Sequence, residues 1–334
     1  MIGKLVRYDE LVPGVLRRLL DSGPARRQVV FALIASELVF ERHEQCLGVE
    51  PCEEQLLDRA NVLFFGNARD ILTLMLGREP PEGLKGALER IGMAPFRDHQ
   101  FYNRLVSVFM DPEHRVAANV LRYVEIITPQ VVTAIEILPA HLVHQNVLKW
   151  ISRRAEPVEV CGALVRTVEW IQSVNSKAND DEILAAISRM SSDTQLDHVT
   201  SRMVRRADKP LVIPIADDHE VVCCRTVASM IMVSRRLRNC LGMNHKLVDA
   251  LDGRTAYAVF RHLYVIEFNR LNDGGWLFAD VHAARNGYVD RDIFDAVIAK
   301  CAAASIAFVP KRPDIQERYG RFLSGDRGRF AFAA

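Results

Sequence analysis

The sequence predicts an α+β protein: a large all-helical N-terminal region followed by a small antiparallel-sheet domain flanked by helices. Three observations predict it. Up to about residue 207, apolar residues recur at the helical period, punctuated by prolines. At 208–224, "DKPLVIPIADDHEVVCC", two prolines, β-branched residues and an acidic turn replace that pattern. After Gly253 come three strand-like runs, "TAYAVFR", "LYVIEFNR" and "WLFADVHA".

The first long helix is expected after Pro24, where "VVFALIASELVF" (29–40) is too short for a membrane span and carries Glu37, so it reads as a buried helix. Later segments such as 141–154 and 160–174 keep the helical period, and Pro51, Pro80, Pro81, Pro95, Pro112, Pro129, Pro139 and Pro157 separate them. The run 208–224 is a linker or a first strand. "TVASMIMVSRRLRN" is helical, with Val227, Met230, Ile231 and Leu237 on one face, and "RDIFDAVIAKCAAASIAF" closes the domain as a helix. The expected domains are 1–207, a helical interaction domain; 208–323, the α+β domain; and 324–334, a flexible tail.

Composition narrows the function classes. With 43 basic and 42 acidic residues in 334, the net charge is +1, so attraction to nucleic acid would need a local basic patch. Seven cysteines and no early apolar leader point to a cytoplasmic, reduced protein with no membrane association. Walker, dinucleotide-binding, HExxH and GxSxG motifs are absent from the sequence.

The chemistry concentrates after the change of pattern. In "NRLNDGGW", Asp273–Gly274 suits a two-residue type I′ turn pairing Asn272 with Gly275. That register puts Glu267 opposite Asp280 and Val265 opposite His282. It also puts Trp276 and Phe278 on the face shared by Glu267, Asp280 and His282. Facing carboxylates repel, so one is protonated or a cation lies between them: a metal, Arg238 or Arg285. A tight Arg261–His262 turn would add Ala256 and Ala258 to the same face, leaving room for a ligand.

Upstream, "RRLRNCLG" places Cys240 after Asn239. If Asn239 caps a new helix, the helix dipole and nearby arginines favour a thiolate at Cys240. If the helix runs on, the cysteine is core packing. Arg205, Arg206, Arg235, Arg236, Arg238 and Arg285 are the candidate nucleic-acid contacts. Weaker signals are His43, Cys46 and Cys52 as zinc ligands, and His141 with His144 at helical spacing.

The landmarks Cys240 with Leu241 and Gly242, then Gly253, Glu267, Asp280 and Asn286 resemble the motif of the PcfJ-like family, at intervals of 13, 14, 13 and 6 residues. The resemblance spans about 225–290. It departs from the motif at Asp280, where glutamine is expected, and at Asn244–His245, where an aromatic is expected. It implies an accessory or effector protein of a mobile genetic element or defence system. A transglutaminase-like order (Cys240, His262, Asp280) is also present, but strand parity separates His262 from Asp280.

Three readings follow. In the first, the helical domain binds a protein partner, and a polar site of Cys240, Glu267, Asp280, His282 and Asn286 acts on or near nucleic acid. The second is a cysteine- or metal-dependent hydrolase or transferase using Cys240 with His282, or Glu267 with Asp280. The third is a non-catalytic adaptor. No cofactor and no metal ligand set is specified by the sequence.

Overall fold

A computed structural model describes residues 1–45, 52–191 and 196–309. The zinc reading falls outside the described residues at the His43 side chain and Cys46, as does the tail. The chain divides into two compact units, Met1–Arg202 and Met203 onward.

The first unit is helical: α1 (Ile2–Leu11), α2 (Val15–Leu20), α3 (Pro24–Gln45), α4 (Glu53–Phe65), α5 (Ala68–Leu76), α6 (Leu84–Glu89) and α7 (Gln100–Met110). There follow α8 (Arg115–Leu121), α9 (Pro129–Ile137), α10 (Gln145–Ser152), α11 (Pro157–Val174), α12 (Asp180–Ser188) and α13 (Leu196–Arg205), which runs into the second unit. The prolines do what the sequence leads one to expect. Pro129 and Pro157 open α9 and α11, where the first turn has no use for the missing N–H. Asn67 and Asp70 form a reciprocal cap on α5.

Helix α3 is the core of this unit, with Val29 through Ala35 all buried and α5, α6 and α7 packed around it. Two polar groups sit inside that core and both are satisfied. Glu37 accepts from Tyr8 Oη at 2.8 Å and pairs with Lys4 at 3.0 Å and Arg59 at 3.1 Å. Burial, then the Glu37 charge, pushes the Tyr8 phenol up, so it stays a donor. Gln28, fully buried, donates to the carbonyls of Gly92 and Ala94 and accepts from Tyr102 Oη, each at 2.8 Å. No helix among the described residues is long and apolar enough to cross a membrane.

The second unit contains β1 (Val221–Cys223), α14 (Val227–Leu237), α15 (Asn244–Leu251), β2 (Thr255–Phe260), β3 (Tyr264–Arg270), β4 (Trp276–His282) and α16 (Arg291–Ala303). The four strands form an antiparallel sheet in the order β1-β2-β3-β4, so the α+β expectation holds and 208–224 does supply a first strand. On one face Ala256, Ala258, Phe260, Ile266, Phe268, Phe278 and Val281 pack with Val297 and Cys301 of α16. Tyr257, Val259 and Val265 are buried at the other face, where α15 packs on β2.

Both sheet edges are covered. On β1 the outward N–H groups of Val221 and Cys223 donate to Asp218 Oδ1 and Asp217 Oδ1, each at 2.7 Å. Lys300 and the backbone N–H groups of Glu220 and Val221 hold the Asp218 carboxyl down at about 2. The closing helix is shorter than expected. It ends at Ala303, Ser305 turns left-handed (φ 58), and Ala307 lies parallel to Leu277 along β4. There Ala307 N–H donates to Trp276 O and Phe278 N–H to Ala307 O, both at 2.9 Å.

Gln28→Leu should lower the urea midpoint without changing the slope. It strands the buried Tyr102 hydroxyl and takes a donor from the Gly92 and Ala94 carbonyls, at a cost of about 1–3 kcal/mol. A loss under about 0.5 kcal/mol would contradict the network's role.

Candidate functional site

The hairpin β3–β4 carries the site, and its register is more irregular than expected. The loop has three residues rather than two. Leu271, not Asn272, pairs with Gly275 (Leu271 N–H to Gly275 O, 2.8 Å), and Gly274 takes the left-handed position at φ 87. From there Arg270 pairs with Trp276 and Phe268 with Phe278, one residue off the expected register. A bulge between Glu267 and Phe268 leaves Ala279 extra on β4 and removes the offset. Glu267 is therefore opposite Asp280 and Val265 opposite His282, as expected, because two one-residue shifts cancel.

The bulge also turns over the start of β4. Trp276 and Phe278 lie on the α16 side, in or against the apolar core, and not beside Glu267. The β2–β3 register corrects the alanines too. Arg261 and His262 are both left-handed (φ 46 and 60), Phe260 pairs with Tyr264, and Tyr257 lies opposite Glu267. Ala256 and Ala258 are core residues on the other face. No small-residue gap adjoins Glu267; a tyrosine ring fills it.

The cation held by Glu267 is one the sequence does not reveal. Lys246 of α15 donates to Glu267 Oε1 at 2.7 Å, Tyr257 Oη donates to the same oxygen at 3.3 Å, and the ammonium lies 5.8 Å from the Tyr257 ring centroid. Arg238 and Arg285, the expected partners, are exposed. Burial alone would push the Lys246 ammonium down, but the bond to Glu267 and the charges of Tyr257 and Glu267 carry it above its ordinary range. Burial, then the Glu267 charge, pushes the Tyr257 phenol up to about 12. Asp280 Oδ1 accepts from Val281 N–H at 2.8 Å, and its Oδ2 is 3.8 Å from His282 Nε2.

The backbone breaks at Asn239 and does not run on as one helix through Cys240. Helix α14 stops when Arg238 turns left-handed (φ 52), and Asn239 accepts from Leu241 N–H at 3.2 Å, capping a single 3-10 turn, Cys240–Gly242. The thiol is half-buried, and no described hydrogen bond links it to Glu267, Asp280 or His282. Gly242 lies close against Ser234: a Cβ there would come 3.0 Å from Ser234 Oγ, and the serine would have to give way. Gly253 ends α15 at φ 71, with Arg254 N–H donating to Asp249 O at 2.9 Å across it. Asn286 is exposed in the β4–α16 connection, beside Arg285.

The arginines divide into two groups. Arg205, in the second unit, donates from Nη2 to Gly242 O at 2.9 Å and so ties the last residue of α13 to the cysteine turn. Arg206, Arg235, Arg236, Arg238 and Arg285 are exposed, and none forms a described ion pair. Among the described residues no group of three or more His, Cys, Asp or Glu could hold a metal ion. His141 and His144 do not share a helix: His141 is in a 3-10 turn near Asp180, and His144 caps α10. Comparison with known proteins finds no matching family model, no matching curated protein and no matching solved structure.

The raised Tyr257 phenol contributes stability that is complete below its unfolded value of 10.0 and is lost as pH rises toward about 12, and the raised Lys246 ammonium acts in the same direction. Urea unfolding between those limits should therefore show stability falling more steeply in the wild type than in Tyr257→Phe. Equal slopes would contradict the assignment.

Proposed function

We propose that this chain is a PcfJ-like accessory protein of a mobile genetic element or defence system that acts by binding. Its C-terminal unit holds nucleic acid through arginines, and its helical unit holds a protein partner. One contrast in charge placement supports the reading. Glu267 is neutralised internally by Lys246, whereas Arg206, Arg235, Arg236 and Arg238 face outward without a described carboxylate partner. Arg205, bound to Gly242, brings the end of α13 to the turn that follows Arg238. Arg238 holds a left-handed conformation that costs a non-glycine residue about 1 kcal/mol. Such strain is more often retained where a side chain has a use. For the helical unit, support comes from Ile2, Phe65 and Tyr123, each about three-quarters exposed.

A hydrolase or transferase is the second reading, and one observation favours it: Glu267, Asp280 and His282 do share a sheet face. Against the thiol version, Cys240 has no described hydrogen bond to a base. Against the carboxylate version, Glu267 is already held by a lysine and a tyrosine. If Cys240 were nucleophilic, it would alkylate far faster at neutral pH than the exposed Cys52; the binding reading expects comparable rates.

Fluorescence anisotropy with labelled DNA and RNA across a salt series tests the binding reading. Binding should weaken steeply with salt, and replacing Arg235, Arg236 and Arg238 together by alanine should flatten the log–log slope by about 2–3. Cys240→Ser should bind as the wild type does. No binding at low salt, or an unchanged slope in the triple variant, would contradict the reading.

A further inference from the structure

We infer that the loop joining β4 to α16 is a contact for single-stranded nucleic acid, with Tyr288 as a stacking platform and Arg285 and Asn286 as its polar readers. This deepens the binding reading above and rests on it. The loop is closed on itself: Ala283 N–H donates to Gly287 O at 3.2 Å, and Gly287 N–H donates to Ala284 O at 3.1 Å. Both ends are anchored, since Ala283 packs against the sheet core and Val289 belongs to it. Gly287 cannot carry a side chain without cost, because a Cβ would come 3.0 Å from Ala284 O.

Between those anchors Arg285 and Asn286 are consecutively left-handed, at φ 60 and 54. Two adjacent non-glycine residues in that region are uncommon, and this unit holds them at one other turn, Arg261–His262. The result is that Arg285 and Asn286 are held out in solvent, and Tyr288 follows at 76% exposed. Among the described residues of this unit it is the one aromatic left mostly exposed; the other large exposed apolar side chains there are aliphatic or methionine.

The three side chains have complementary chemistry. A guanidinium pairs bidentately with phosphate, an amide offers both a donor and an acceptor to a base edge, and a phenol ring stacks on an unpaired base. A duplex hides base faces from such a ring, so the trio fits an unpaired strand better than a double helix. An acidic peptide would engage Arg285 and bond the amide through its backbone, but without an aromatic side chain it offers the ring no π-face to stack on.

The test compares oligo(dT) of about 20 nucleotides with a duplex of the same length. Tyr288→Ala should weaken oligo(dT) binding by about 5- to 100-fold and leave duplex binding within about twofold, while Tyr288→Phe binds as the wild type does. Arg285→Ala should also weaken oligo(dT) binding. The Arg235, Arg236 and Arg238 triple variant should weaken both ligands. Oligo(dT) binding that survives both Tyr288→Ala and Arg285→Ala, or wild-type binding to duplex alone, overturns this inference and leaves the broader reading standing. So does polyglutamate binding as tight as oligo(dT) and sensitive to the same loop variants. Wild-type binding to neither nucleic acid overturns both.

Discussion

Glu267 faces Asp280 across a pair of antiparallel strands, and two carboxylates so placed need a nearby cation. Lys246 supplies it, and much of the second unit is arranged so that it can. The lysine must lie over the sheet, so α15 must start and stop at defined places. Its start is set by the Cys240–Gly242 turn, which Asn239 caps, Arg205 ties down and Gly242 allows to lie against Ser234. Its end is set by the left-handed Gly253. Of the landmarks that resemble a family motif, Cys240 to Gly242, Gly253 and Glu267 are thus also residues that bring one ammonium to one carboxylate. The pair is mostly shielded from water, with side chains 23% and 17% exposed, so removing one partner leaves the other charge poorly solvated.

That arrangement separates two kinds of charge. Inside, Lys246, Glu267 and Tyr257 satisfy one another, and the same is true of Glu37 with its tyrosine, lysine and arginine in the helical unit. Outside, Arg206, Arg235, Arg236, Arg238 and Arg285 remain uncompensated by any described ion pair. A chain with a net charge of only +1 can still present a local positive field this way. The proposed binding role draws on that outward set.

Periodicity and proline placement made the fold class legible, because both act locally: a proline at a helix start or an alternating strand reads the same in isolation as in the protein. The Glu267–Asp280 pairing was legible too, though for an incomplete reason. The loop is one residue longer than the Asp-Gly rule implies, and the Ala279 bulge cancels the shift at Glu267. Trp276 and Phe278 lie between the loop and the bulge, so parity assigned them to the wrong face. Lys246 was missed because nothing in a helix's sequence says which distant strand it covers. Arg238 and Arg285 were favoured as counter-ions by proximity in sequence, whereas the backbone at both turns left-handed and leaves them exposed.

The central claim is that Lys246 and Glu267 are coupled and that the sheet face depends on it. A double-mutant cycle with Lys246→Met and Glu267→Gln, followed by urea unfolding, measures that coupling directly. The account predicts that the two single losses exceed the loss in the double variant by about 1–2 kcal/mol when added together. Additivity within about 0.5 kcal/mol would show that the two side chains act independently and would contradict it.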